Sequence, residues 1–277
     1  MKIILSRKGF DSSYGEMASP ILADGSMLSF PIPLKNHGIE YDNLLVSGVD
    51  TATTLDKLIC QLNPKYKWSQ GKTAHLDPYL SWNNPSMHPA FGQADAPLTH
   101  LESNGVVEGS IFLFFGWFRQ AERTNNNEIK FVRNAPDIHV IYGYLEVDEI
   151  LDTKNISRPV LQYHPHVKDP YMHDKLFIAS KEFSHDKTCL GSGTFKYNQT
   201  LQLTKHNQPN RTLWELPECF KDVSITYHPS KDSNVFKSAD IGQEFIVSED
   251  KAVQNWAINL IRDSERSASW ISPTLNS

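Results

Sequence analysis

Ser110-Ile111-Phe112-Leu113-Phe114-Phe115-Gly116-Trp117-Phe118 is the longest near-continuous apolar run in the chain, and Ile138-His139-Val140-Ile141-Tyr142-Gly143-Tyr144-Leu145-Glu146-Val147 answers it downstream. Both runs are rich in aromatic and branched residues and contain no proline, which is strand composition. Ile111–Phe118 falls far short of the roughly 20 apolar residues that a membrane-spanning helix needs, so it reads as a strand buried on both faces. Between the runs, Arg119 to Asp137 includes Glu122-Arg123-Thr124-Asn125-Asn126-Asn127. That stretch is too polar for a core and reads as an exposed loop mounted on two central strands.

The whole composition agrees with a folded chain. At 277 residues, with 39% hydrophobic and 21% charged, it is long enough to bury a substantial core and too apolar for wholesale disorder. A net charge of −5 argues against coating long duplex DNA, while leaving room for a pocket that grips one nucleotide. Cys60, Cys189 and Cys219 show no CxxC spacing, so neither a disulfide framework nor a zinc ribbon is supported. Only Ile3-Ile4-Leu5 precede the return of charge at the N-terminus, too little for a signal-peptide core; a cytoplasmic protein with no membrane partner is expected.

Outward from the central runs, Lys2–Ser6 reads as a strand feeding Arg7-Lys8-Gly9-Phe10-Asp11-Ser12-Ser13-Tyr14-Gly15, a loop dense in donors and hydroxyls. Such a loop can hold a phosphate or a base edge, or be an Asx turn with Arg7 paired to Asp11. Asp24-Gly25 marks a hairpin turn within Ser19–Pro31. Leu55, Leu58, Ile59 and Leu62 share one face of a helix over Thr54–Leu62, and Asp95 starts another that runs through Leu101. Leu201–Thr204 and Ser224–His228 read as strands, the latter followed by an exposed Pro229–Asn234; Ile241–Val247 is a further strand. Ser248 caps a helix over Glu249–Arg262, and residues 264–277 form a frayed tail after a single domain over 1–263. The fold class is α+β: one mostly-β domain with peripheral helices.

Ionisable groups concentrate in two further places. His75-Leu76-Asp77-Pro78 places an imidazole and a carboxylate at i and i+2, on one side of an extended segment, where they can chelate a divalent metal. A third ligand must come from elsewhere, and His164, His166 and His228 are available; the bland alternative is an Asx-Pro turn beside a satisfied histidine. Gln93 follows in Phe91-Gly92-Gln93. Arg211 and Trp214 lie close enough in sequence to stack on a base, or simply to pack on each other. In the central excursion, Arg119, Arg123, Lys130 and Arg133 outnumber Glu122, Glu128 and Asp137, a local excess suited to a phosphate backbone.

Several of these stretches together resemble the nucleotide modification associated domain 3 family: Lys2 to Ser13, Ser19-Pro20-Ile21, Asp24-Gly25, Pro31-Ile32-Pro33, His75-Leu76-Asp77-Pro78, Phe91-Gly92-Gln93, Phe112 to Arg119 and Ile138 to Tyr144. The resemblance covers most of the chain and implies a part in DNA base modification in bacteria and phages, alongside other proteins of such systems. It carries no catalytic list. Gly109-Ser110 departs from the Gly-Asp expected before the central strand. A fainter architectural similarity to PUA-like and EVE-type barrels suggests one form for the core and a non-catalytic reader of modified bases. An enzyme acting on a nucleotide or a base in DNA would instead gather Arg7, Asp11, His75, Asp77 and Gln93 as catalytic groups. Ser12, Arg119, Arg211 and Trp214 would bind the nucleotide, and His75, Asp77, His164 and His166 a metal. A narrower iron(II) and 2-oxoglutarate reading lacks the Arg that such enzymes place shortly after the distal His.

Overall fold

In a computed structural model, the two apolar runs become the longest strands and pair with each other. Ile111–Arg123 lies antiparallel to Ile138–Asp152, with His139 opposite Trp117 and Tyr144 opposite Leu113. The structure describes the chain except residues 36–37, 49–52, 70, 229–232, 239–242 and 275–277. Phe112, Phe114, Phe115, Phe118, Val140 and Ile141 are buried on one face or the other. Each such side chain contributes about 1.5–3 kcal/mol relative to an exposed one, which is why this pair sits at the centre.

The remaining strands add to that pair. Ile3–Arg7 runs parallel along the opposite edge of Ile111–Phe115, and Ser19–Ile21 continues that edge beside Phe118–Gln120. Glu244–Val247 pairs antiparallel to Ile3–Ser6. On the far side, Asp174–Ala179 takes up the end of Ile138–Asp152, and Ala90–Ala94 closes the order against Asp174–Ile178. Glu244–Val247 and Ala90–Ala94 therefore end the path of a nine-stranded mixed sheet. Among the described residues no pairing joins those ends, and no closed barrel is found. Among the described residues the chain is mostly β with four helices, Leu55–Leu62, Asp95–Ser103, Pro165–Lys168 and Lys251–Asp263, an α+β fold. No helix among the described residues is long and apolar enough to cross a membrane.

Local sequence explains most of these elements. Leu55, Leu58, Ile59 and Leu62 are all buried, as their helical spacing requires. Asp250, rather than Ser248, caps the last helix, its carboxylate accepting from the N–H groups of Ala252 and Val253 at 2.8 and 3.0 Å. Gly25 takes a φ of +85° in the turn after Leu22, a conformation that suits glycine. Leu201–Thr204 is not a strand; Gln199–Leu201 forms a 3-10 turn, and Gln202 and Thr204 each make one isolated bridge. Ser224–His228 is not a strand: Ile225 makes an isolated bridge to Val247, with the Thr226 N–H on the Ile246 carbonyl and the Ser248 N–H on the Ser224 carbonyl beside it. Residues 229–232 and 241–242 of the stretches expected there lie outside the described residues, and the last strand is described from Glu244.

Two expectations are corrected. The excursion from Arg119 to Asp137 is no exposed loop: the central strand continues to Arg123, turns, and returns as Ile129–Phe131. Ala121 and Ile129 are buried and anchor it. Three of its four cations have local partners, Arg119 on Asp137 at 2.7 Å, Lys130 on Glu128 at 2.8 Å, and Arg123 bonded to Asn127. Nor are residues 264–274 of the tail frayed, residues 275–277 lying outside the described ones. Trp270–Pro273 forms a strand antiparallel to Leu44–Ser47, and Ser269 Oγ donates to the Gly48 carbonyl.

Candidate functional site

Asp77 is placed by three backbone decisions. Its own N–H donates to the His75 carbonyl at 2.8 Å, turning the chain directly after the short strand Thr73–His75. Two residues later, Tyr79 and Ala90 exchange N–H···O bonds of 3.0 and 2.9 Å, docking the segment against Ala90–Ala94. The Gly92 N–H then donates to Asp77 Oδ1 at 2.8 Å. The histidines arrive from the other side. Pro165 opens the helix Pro165–Lys168, where its missing N–H is tolerated, and leaves His164 extended just before it. His166, one residue into the helix, packs onto Gly92, where a Cβ would overlap the imidazole ring. Only glycine allows this approach.

The result is a cluster of His75, Asp77, His164 and His166. One ligand atom each from His75, Asp77 and His166 lies within 4.8 Å of the others. His164 Nε2 is 3.1 Å from Asp77 Oδ1. The ring centroids of His75 and His166 are 5.0 Å apart, and those of His164 and His166 5.6 Å. His166 Nδ1 is 2.7 Å from Asp174 Oδ1, and Asp174 Oδ2 accepts from the Tyr171 N–H. A carboxylate can only accept, so Nδ1 carries a proton, and in the neutral ring the lone pair then lies on Nε2. His75 Nδ1 and His164 Nδ1 are buried without a hydrogen-bond partner, and His164 Nε2 has only Asp77 Oδ1 within reach. Buried polar atoms left unmatched are costly and uncommon.

Burial sets the protonation states. It pushes His75 down to about 3, with His166, His164 and Lys8 adding to the effect and Asp77 opposing it. Burial likewise lowers His164, against the hydrogen bond and charge of Asp77. For Asp77, burial favours the neutral acid, but the hydrogen bond and charge of His164, with the charges of His166 and His75, hold it below the usual carboxylate range. Neutral imidazoles around a carboxylate are the forms that ligate metal. The donor set, nitrogen with one carboxylate oxygen, suits zinc or iron(II) better than magnesium or calcium.

Lys8, Gln93 and Glu244 form a second buried polar group, and the ammonium charge of Lys8 acts on His75. Lys8 Nζ lies 3.2 Å from Glu244 Oε1, and Gln93 Nε2 donates to the same oxygen at 2.7 Å. The ammonium also sits 4.4 Å over the Phe91 ring. Glu244 is 1% exposed; its Oε2 and the neighbouring Ser6 Oγ are buried without partners.

Other residues singled out in the sequence lie elsewhere. Arg7 does not join the cluster; its charge acts on His139, with that of Arg211. Asp11 makes the Asx turn, accepting from the N–H groups of Ser13 and Tyr14. Arg211 bonds Ser12 Oγ at 2.5 Å and stacks 4.1 Å from the Trp117 ring, not on Trp214. Trp214 is fully buried, with its indole N–H on His139 Nδ1 at 3.0 Å, so it offers no surface to a base. Arg119 is held by Asp137. His228 lies apart, with Nε2 3.2 Å from the Ser233 carbonyl. Of the expected catalytic groups, His75, Asp77 and Gln93 lie in this region, joined there by Lys8, Asp174 and Glu244, which no sequence motif marks. Strand alternation is the available signal for Lys8: it shares a side with Ile4 and Ser6, and Arg7 takes the other.

Asp77 also belongs to the wall of a cavity of about 430 Å³, with Ser29, Tyr142, Tyr144 and Trp82. A register shift in Ile138–Asp152 falls at Tyr142, a bulge of the kind that re-aims a side chain. Burial raises the Tyr142 hydroxyl, a hydrogen bond with Ser29 opposes this, and the Asp77 charge adds to it. Cavity and cluster thus meet at Asp77.

A mixed sheet thus carries a histidine–carboxylate cluster beside a cavity within the size range of small-molecule sites. The chain belongs to the nucleotide modification associated domain 3 family, whose model matches residues 2–248. No curated protein and no solved structure matches it.

Proposed function

We propose that this chain is a metal-dependent enzyme that modifies a nucleotide or a base in DNA, with His75, Asp77 and His166 as metal ligands and His164 as a fourth. One observation carries the reading: two imidazoles and a carboxylate converge within 4.8 Å at the wall of a cavity, in a family associated with nucleotide modification. A divalent metal held there would supply Lewis acidity and a bound water of lowered pKa. Asp174 orients His166, and Gly92 holds Asp77 in place. A non-catalytic reader needs only the aromatic cavity and none of the cluster.

Mass spectrometry of nucleosides tests the choice. DNA and nucleotide pools are compared from cells making the wild-type chain, the Asp77→Asn variant or neither. An enzyme changes the nucleoside profile in the wild-type cells alone. Identical profiles in all three, with folded and metal-loaded wild-type protein, would leave the reader.

A further inference from the structure

The cavity beside Asp77 differs in chemistry from one end to the other. Tyr142 stands at the Asp77 end, where the carboxylate's charge reaches its hydroxyl. Tyr144, two residues further along the same strand and about 7 Å away at strand spacing, stands at the other. There the Arg266 guanidinium lies 4.9 Å from the Tyr144 ring centroid and 5.1 Å from that of Phe195. It donates to the carbonyls of Ser264 and Ile261, which cap the end of the helix Lys251–Asp263. No carboxylate pairs with it among the described residues. A half-buried cation with carbonyls and aromatic faces but no anion keeps its full charge in a low-dielectric wall. Arg262 lines the same cavity, paired on its outer side with Asp263. Trp82, also in the wall, holds a buried indole N–H with no acceptor.

Aromatic walls and a cationic end are the complement of a planar heterocycle carrying an anionic group. At about 430 Å³ the space lies within the range of small-molecule sites. The size of the space favours a single nucleotide over a nucleic-acid chain, which needs an extended cationic groove.

We propose that the cavity takes a free nucleoside monophosphate, its base against Tyr142 and Asp77 and its phosphate towards Arg262 and Arg266. The orientation rests on the metal reading, since it presents the base to the cluster. The pocket itself stands on the cavity and its charges.

Calorimetric titration of the purified, metal-analysed protein tests this with the four deoxynucleosides, their 5′-monophosphates and single-stranded oligonucleotides of the same bases. At least one monophosphate binds tenfold or more tightly than its nucleoside and more tightly than the oligonucleotide. Arg262→Gln, at an exposed site, erases most of that difference while nucleoside affinity stays. Trp82→Ala, which removes an aromatic wall of the cavity, weakens both nucleoside and monophosphate. Equal binding of nucleoside and monophosphate, or tighter binding of the oligonucleotide, would overturn the proposal. So would no nucleotide binding by protein with stoichiometric metal, a result that leaves the metal centre standing. A protein without metal that still prefers monophosphates removes the metal reading and keeps the pocket.

Discussion

Asp174 Oδ1 accepts a hydrogen bond from His166 Nδ1 across 2.7 Å, and this contact decides which nitrogen of His166 can face a metal. Asp174 stands first in its strand and its side chain is fully buried, so the ring is held by a rigid element. Carboxylates that orient a ligating histidine in this way typically account for a 10–100-fold difference in metal affinity. Asp174→Asn is expected to weaken metal binding by roughly that factor in competition with a chromogenic chelator. The fold should persist, because an amide oxygen can still accept from the Tyr171 N–H. Unchanged affinity would remove Asp174 from the site.

Gly92 offers a steric prediction. The ring of His166 occupies the place a Cβ would take, and the Gly92 N–H anchors Asp77. Gly92→Ala is expected to destabilise the chain by about 1–3 kcal/mol in urea unfolding, the usual cost of overpacking. Metal retention should fall with it. A neutral substitution would show that the helix Pro165–Lys168 can shift away without loss.

The pair of Lys8 and Glu244 predicts a non-additive cycle. Removing one partner of a buried ion pair strands the other charge, at about 3–5 kcal/mol, whereas removing both can be nearly neutral. Lys8→Met should therefore destabilise far more than Lys8→Met combined with Glu244→Gln, by urea unfolding of both variants. Additive losses would mean that the two groups do not share an electrostatic environment.

His139 predicts a pH dependence away from the cluster. Burial, reinforced by the charges of Arg211 and Arg7, pushes it down to about 3, and Trp214 donates to its Nδ1. The unfolded imidazole titrates near 6.5. Its folded value is the lower one, so the contribution is complete above about pH 6.5 and declines as pH falls towards 3, with a slope of about 1.4 kcal/mol per unit. His139→Gln should flatten the loss of stability between pH 6.5 and 4.5 relative to the wild-type chain. Parallel curves would contradict a neutral buried His139.

How far the sequence reveals this depends on whether a feature is local. The central strands are legible because Ile111–Phe118 and Ile138–Val147 carry their burial in their composition, and Leu55–Leu62 because its stripe is periodic. His75 and Asp77 are legible as a pair at i, i+2, and His164 and His166 as available ligands. What stays hidden is set by pairing across the sheet. Glu244 meets Lys8 only because Glu244–Val247 lies beside Ile3–Ser6. Asp174 reaches His166 only because Asp174–Ile178 lies against Ala90–Ala94, which brings Gly92 under the ring. Arg7 is the more conspicuous donor in its loop, yet strand alternation turns it away and presents Lys8. Trp214 has the composition of a stacking platform, but its indole N–H finds a buried partner in His139, far away in sequence.

Metal content is the most direct test of the account. The chain, purified without chelator and again after stripping and reloading with zinc or iron(II), is analysed by inductively coupled plasma mass spectrometry beside His75→Ala, His166→Ala and Asp77→Asn, with circular dichroism confirming that each is folded. Asp77→Asn keeps an acceptor for the Gly92 N–H and so separates ligation from packing. The account predicts about one equivalent of a transition metal per wild-type chain, and its loss from the three folded variants. A wild-type chain that holds no metal after reloading, or variants that retain it as well as the wild type, would contradict it.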